Sequence, residues 1–372
     1  MFLINSIWFL ELPVEFLLFE CLAEFTGGGT TFYLATKCFI SDITSQEERT
    51  TRFAILDAFT SVGWLIGLPL GTRIKKHFGY ITLFATTLGL TIIAFFYTLV
   101  FLKDSVHRLT EEQKKGYYKR KAEAEITCGK GVVGKVVKLT LSSFKTVFKR
   151  REGKTRTWII MFIVIFILPT FINAGYDVVG YLFYRLQYNI STETYGDLIS
   201  AYFVTNIISQ IVVVPFLSKT LGVQDTMIII LALIPSIIGF LGEAFLTEVI
   251  NKTKHNLLRQ VWALFVIWTV FYLLYFNIFT TTRSAMSKLV PPSELGRLFS
   301  VVAMLESCLG LVTKPVFGLI YRHTLDILPC LWILILVGWM VVALGVAVAT
   351  HVGITREKRK GRGKVQKGGE VN

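Results

Sequence analysis

Nine apolar stretches dominate the chain, at residues 14–40, 53–72, 79–102, 158–181, 196–218, 226–247, 260–282, 298–320 and 327–350. A helix needs about 20 apolar residues to cross a bilayer core. The chain has 372 residues, is 53% hydrophobic and holds 30 phenylalanines, too apolar for an ordinary soluble domain. In lipid every backbone polar group must be satisfied inside the protein, by helices or by a closed barrel. Barrel-type alternation is absent, so the reading is an all-α polytopic membrane protein. Residues 1–10, "MFLINSIWFL", are apolar but too short to cross. They lack the basic start and cleavage site of a signal peptide. They read as the outer end of a span whose beginning is missing.

Charge sets the expected orientation. Residues 103–157 hold 16 Lys+Arg against 6 Asp+Glu, and residues 352–372 hold 7 against 2. Together these exceed the whole-chain +14. Basic excess beside span ends marks the cytoplasmic side, and an anionic inner leaflet attracts it. Nucleic acid is not the expected partner, because the basic segments adjoin spans. Within the loop, Val133, Val137, Leu141, Phe144 and Phe148 share one helical face, with Lys135, Lys138, Lys145 and Lys149 off it. Two readings stay open: a helix on the inner surface and a solvated linker. Counting spans forward from a cytoplasmic loop puts 182–195 and 248–259 outside. Each carries a glycosylation sequon, at Asn189 and Asn251. The basic run "RIKKHFG" also falls outside and disagrees with the rule.

Chemistry of other kinds finds little support. The five cysteines form no spaced framework, so neither disulfide nor metal site is expected. The five histidines scatter over loops and span ends, with no HExxH. No phosphate-cradling Walker loop appears, so ATP is not the expected direct driver. The chain reads as a non-enzyme without a cofactor.

Two segments echo each other at a constant offset. "SQEERTTRFAILDAFTSVGWLIGLPLG" (45–71) and "PSELGRLFSVVAMLESCLGLVTKPVFG" (292–318) align Glu47 with Glu294, Gly63 with Gly310 and Gly71 with Gly318. A long basic loop separates two sets of spans. That is the major facilitator plan, in which two six-span halves rock around a midplane site. The expected organisation is an incomplete N-terminal bundle at 1–102 (a stub plus three spans), a cytoplasmic loop at 103–157, a six-helix bundle at 158–350 and a basic cytoplasmic tail at 351–372. "SKTLGVQD" (218–225) occupies the inner loop where a Gly-Asp signature is common, in degenerate form.

Three segments carry a closer resemblance: "GGGTTFYLATKCFISDITSQEERTTRFAILDA", "INAGYD" and "TTRSAMSKLVPPSELGRLFSVVA". In order and spacing they resemble the proton-coupled folate transporter family, solute carrier family 46. The resemblance implies twelve spans, of which about two and part of a third are missing here. It also implies that Arg283 matches an arginine of the substrate and coupling machinery, and that Asp57 matches a proton-coupling glutamate one methylene longer. The family histidine five residues before Asp177 is Ile172 here, a difference that bears on folate recognition and on pH sensing. An aspartate near the glycine run is Thr26 here.

The residues themselves leave two readings at each candidate. Arg283 ends an apolar run behind Thr280, Thr281 and Thr282. It is either a snorkelling inner-end cation or a bidentate holder of a substrate carboxylate. Asp57 is either a helix-start aspartate or an intramembrane proton carrier. Asn173 and Asp177 share a face at i and i+4. Glu20 and Glu24 do the same ahead of Gly27–Gly29, whose glycines suit close packing. Glu306 suits packing or a pathway equally. Arg283, Asn173, Asp177 and Glu24 are the substrate-binding candidates, and Asp57 is the proton-coupling one. The expected function is proton-coupled symport of a small organic anion, folate-like or otherwise carboxylate-bearing, at the plasma or endolysosomal membrane. The rival is a non-transporting membrane protein with an interaction role.

Overall fold

The computed structural model describes Ile7 and residues 28–101, 132–151, 153–253 and 257–369. Every regular element among them is helical: α1 (Gly28–Ile43), α2 (Arg49–Phe101), α3 (Val132–Phe148), α4 (Thr155–Tyr188), α5 (Thr192–Ile208), α6 (Asp225–Thr253), α7 (Leu257–Phe271), α8 (Asn277–Leu289), α9 (Pro292–Thr324) and α10 (Leu331–Gly369). The architecture of the described residues is all-α. Among the described residues, six helical stretches are long and apolar enough to cross a membrane.

The expected spans 53–72 and 79–102 have no loop between them. "RIKKHFG" is helical up to Gly79, whose φ of 80° breaks α2. Only glycine enters that region freely. The chain folds back there: a Cβ added to Gly71 would lie 3.5 Å from Leu83 Cδ1. The basic run that disagreed with the charge rule is matched by acids. Arg73 pairs with Asp197 at 3.2 Å and Lys76 with Glu193 at 2.8 Å. The limb after Gly79 is exposed almost throughout. Its threonines stay compatible with an apolar surround because each bonds its own helix. Thr82, Thr86, Thr87, Thr91 and Thr98 all donate to the carbonyl four residues back.

The core lies in α4–α10. Ile159, Phe166, Ile172 and Phe183 of α4 are buried against Trp332, Leu336 and Met340 of α10. Asn189 ends α4 in the left-handed conformation at φ 50°, and Ser191 caps α5 by accepting from Thr194 N at 3.2 Å. The other sequon residue, Asn251, lies in the last turn of α6 rather than in a loop.

The stretch 260–282 is not one continuous span. Residues 272–276 unwind, and α7 and α8 are separate helices. Bonds to the carbonyl three residues back satisfy the break: Tyr275 N to Tyr272 O, Asn277 N to Leu274 O and Ile278 N to Tyr275 O, at 3.0, 3.0 and 3.1 Å. Neither proline nor glycine causes it. Aromatic packing holds it: Tyr272 lies 4.7 Å from Phe240 and Phe276 5.8 Å from Tyr202, ring to ring. Irregular backbone at such depth is tolerated where protein covers it.

Within the basic loop, α3 forms a helix and docks on α9, burying Val147 and Thr146. It is neither a bare linker nor a free surface helix. Arg151 and Lys149 beyond it reach Glu294 at 2.6 and 3.2 Å. The basic tail continues α10 as helix to Gly369.

Candidate functional site

The site forms where α1 and the first limb of α2 meet α8 and α9. A single apolar helix face would pack here without charge. Instead four ionisable side chains converge. Asp57, on α2, is 6% exposed. Its Oδ1 accepts from Lys37 Nζ at 2.5 Å and from Tyr33 Oη at 3.1 Å, both on α1. Its other oxygen accepts from Thr280 of α8. A buried carboxylate is tolerable only when paired and hydrogen-bonded, and here every contact comes from another helix.

Arg283 lies one turn beyond Thr280. Its Nη2 donates to Glu306 Oε2 of α9 at 2.8 Å. The guanidinium sits 4.6 Å from the Phe166 ring centre and 5.6 Å from that of Tyr33. Lys37 lies 4.8 Å from the Phe53 ring. Aromatic faces stabilise both cations where water is scarce. Tyr33, Lys37, Arg283, Phe299, Val302 and Glu306 line a cavity of about 20 Å³, room for about one water. Thr281 and Thr282 are fully buried, and their hydroxyls have no hydrogen-bond partner among the described residues.

Two of the sequence candidates thus come together, each with a partner on another helix. Asp57 and Arg283 face one seam, but each is neutralised by another residue. Glu306 takes a definite place as the partner of Arg283. Lys37 and Tyr33 escaped the sequence reading. The available signal was a lone lysine inside "TTFYLATKCFI", nearly as unusual in a span as Asp57. Asn173 goes elsewhere: it accepts from Tyr275 Oη at 2.9 Å, beside the unwound turn. Asp177, one turn on, is exposed and is not among the residues lining the cavity. Glu24, with Glu20, lies outside the described residues. Among the described residues no group of three or more potential metal ligands occurs.

Beyond the pocket the α2 limb is tied to α6 and α8. Lys288 reaches Asp225, the last residue of "SKTLGVQD", at 2.7 Å. Thr50 meets Ser284 at 2.7 Å, and Arg49 Nη1 donates to Ser287 O at 2.9 Å. Thr50, Arg49, Ser284 and Ser287 are all buried. Toward the opposite end, α2 meets α5 through the exposed pairs of Arg73 and Lys76 and through Trp64, stacked on Phe203 at 5.9 Å.

The family model described as Major Facilitator Superfamily matches residues 3–313. The "Lysosomal proton-coupled steroid conjugate and bile acid symporter SLC46A3" of Gallus gallus is 29% identical over 308 residues, covering 82% of this chain and 59% of the relative. The "Probable peptidoglycan muropeptide transporter SLC46" of Drosophila melanogaster is 21% identical over 309 residues, covering 82% and 54%. The Homo sapiens SLC46A3 is 24% identical over 353 residues, covering 88% and 66%. The chain therefore spans between half and two thirds of the length of these relatives. With a family model over most of its residues and these relatives beside it, the chain belongs to the major facilitator superfamily, a family of transporters rather than enzymes, in its solute carrier family 46 branch.

Proposed function

We propose that the protein works as a secondary active transporter that moves an organic anion together with protons by alternating access. The carrying observation is the pair of ion pairs at the seam, Lys37–Asp57 and Arg283–Glu306. Each joins two helices, so each can be exchanged rather than simply broken. A substrate carboxylate competes with Glu306 for the Arg283 fork, because a planar guanidinium binds either carboxylate equally well. A proton arriving on Asp57 releases Lys37 and the Thr280 contact, which spans the seam. Substrate and proton then loosen the same interface.

A cavity of about 20 Å³ is far below the roughly 300 Å³ of a small-molecule site, so substrate entry requires the seam to open. Tyr33, Phe53, Phe166 and Phe299 around the cations favour an anion with a large apolar body. Relatives named for bile acids and steroid conjugates point to the same chemistry, and their lysosomal naming favours an endolysosomal membrane. The organisation that fits is an N-terminal bundle facing a six-helix bundle at 158–350, with the 103–157 loop and the tail cytoplasmic and Asn189 and Asn251 lumenal.

The test is uptake of a bile acid into proteoliposomes with an imposed pH gradient. Asp57→Asn should abolish stimulation by the gradient while leaving exchange of bile acid for bile acid partly intact. Uptake that ignores the gradient in the unmodified protein, or that keeps its full pH response in Asp57→Asn, overturns the reading.

A further inference from the structure

A second buried carboxylate lies away from this seam. Glu243 of α6 is 0% exposed. Among the described residues no lysine, arginine or histidine forms an ion pair with it. Its neighbours are phenols. Tyr176 and Tyr184 of α4 donate to its Oε1, the first at 3.3 Å, and Tyr272 of the unwound turn donates to Oε2 at 2.9 Å. Tyr176 and Tyr184 also touch each other through their hydroxyls. The other titratable groups facing the cluster are further phenols. Tyr188 of α4 packs on Tyr184 at 5.6 Å, Tyr195 of α5 on Tyr184 at 5.7 Å, Tyr202 of α5 on Tyr272 at 6.4 Å and Tyr275 on Tyr272 at 6.2 Å.

The hydrogens can be counted. Four oxygen–oxygen contacts join the carboxyl group and the three phenols: Tyr176–Tyr184, Tyr176–Glu243, Tyr184–Glu243 and Tyr272–Glu243. Three phenols supply three hydrogens. An ionised Glu243 leaves one contact with no hydrogen, two oxygens facing each other. One proton on Glu243 completes the set: the carboxyl donates to Tyr184, Tyr184 to Tyr176, Tyr176 back to Oε1, and Tyr272 to Oε2. Removing the proton needs only hydroxyl rotations, after which all three phenols can turn toward the carboxylate. A cage of this kind stores a proton and excludes metal cations, since its own donors occupy the carboxylate.

We propose that Glu243 is a proton-binding site inside the second bundle, and that its loading sets the geometry of the unwound turn 272–276 through Tyr272. Its use in transport rests on the proton-coupled reading above. Its existence does not.

Infrared difference spectra of the purified full chain, taken on stepping the pH between 8 and 5 in H₂O and D₂O, read the site directly. We expect a protonated-carboxyl band that is lost in Glu243→Gln and kept in Asp57→Asn. Hydrogen exchange over 272–279 should depend on pH in the unmodified protein and lose that dependence in Glu243→Gln. A band that survives Glu243→Gln overturns the site. Should that variant fail to fold, Tyr272→Phe removes one donor and should shift the band in frequency; an unmoved band overturns the site as well. Unchanged exchange with the band present and lost as expected overturns the link to the turn. A Glu243 band in a protein with no gradient-driven uptake would sink the transport reading and leave this one standing.

Discussion

Asp57 and Glu243 are both buried carboxylates in apolar helices, yet they are solved differently. Asp57 lies at the seam and is neutralised by a lysine 2.5 Å away on another helix. Glu243 lies within one bundle and is held by three phenols, with no ion pair among the described residues. An ion pair can change partners, so it responds to substrate and to movement between helices. A phenol cage can trade only protons. Position in the fold, rather than residue type, decides which kind of ligand each carboxylate can answer to.

The largest expected effect comes from unpairing the seam. Lys37→Ala leaves Asp57 buried with hydroxyls alone, and losing one member of a buried pair costs roughly 3–5 kcal/mol. Thermal unfolding in detergent should show it as a large fall in Tm. The double variant Lys37→Met/Asp57→Leu replaces the pair with apolar side chains and should recover most of that loss. A single variant as stable as the parent would erase the distinction between the two carboxylates.

A smaller effect is expected at the second seam pair. Arg283→Lys keeps the charge and loses the planar fork. Bile acid affinity should fall about tenfold, equivalent to about 1.4 kcal/mol, with surface delivery and Tm little changed. Direct binding measured by calorimetry checks this. Equal loss of stability and affinity would make Arg283 a packing residue.

The smallest effect sets the baseline. Arg73 and Asp197 are each more than half exposed, and such pairs contribute roughly 0–1 kcal/mol. Arg73→Ala should leave Tm within a degree or two. A large fall would mean that the exposed end holds the helices together as firmly as the half-buried Thr50–Asp225–Lys288 end.

The sequence carried the helical class and the seam charges because both rest on local signals. An apolar run of bilayer length reads directly, as does a charge inside one. Partners do not read this way. Nothing in "YLATKCF" says that Lys37 will meet a carboxylate 20 residues on, and nothing near Arg283 says that Glu306 will be its partner. The unwound turn was hidden for a related reason. "VFYLLYFNIF" contains no glycine or proline, and its break is held by rings on α5 and α6 that no local pattern records. Glu243 is one carboxylate in "FLGEAFL", and its phenols sit 59 and 67 residues before it and 29 after. Asn173 and Asp177 do share a helical face as spaced. Only Asn173 reaches a partner at the unwound turn, since one turn of helix carries Asp177 past it into the open. Gly79, by contrast, was present as a signal in "HFGY", between two apolar runs.

Past Ile208, α5 widens into two π-type turns, Ser209–Val213 and Phe216–Thr220. Such a turn is an ordinary helix carrying one residue too many. A one-codon deletion at the exposed Val212 should therefore be absorbed without unfolding, as the reading frame of the helix closes up. The residues that follow would keep their neighbours, because the π-type turn already takes up locally the extra residue that a regular helix would pass on as a rotation of about 100°. Gln210, which accepts from Ser61 at 3.4 Å, and Pro215 and Lys219 further on would stay in place. In descent this helix can thus gain or lose a residue there without turning its far end, a freedom that a regular helix lacks.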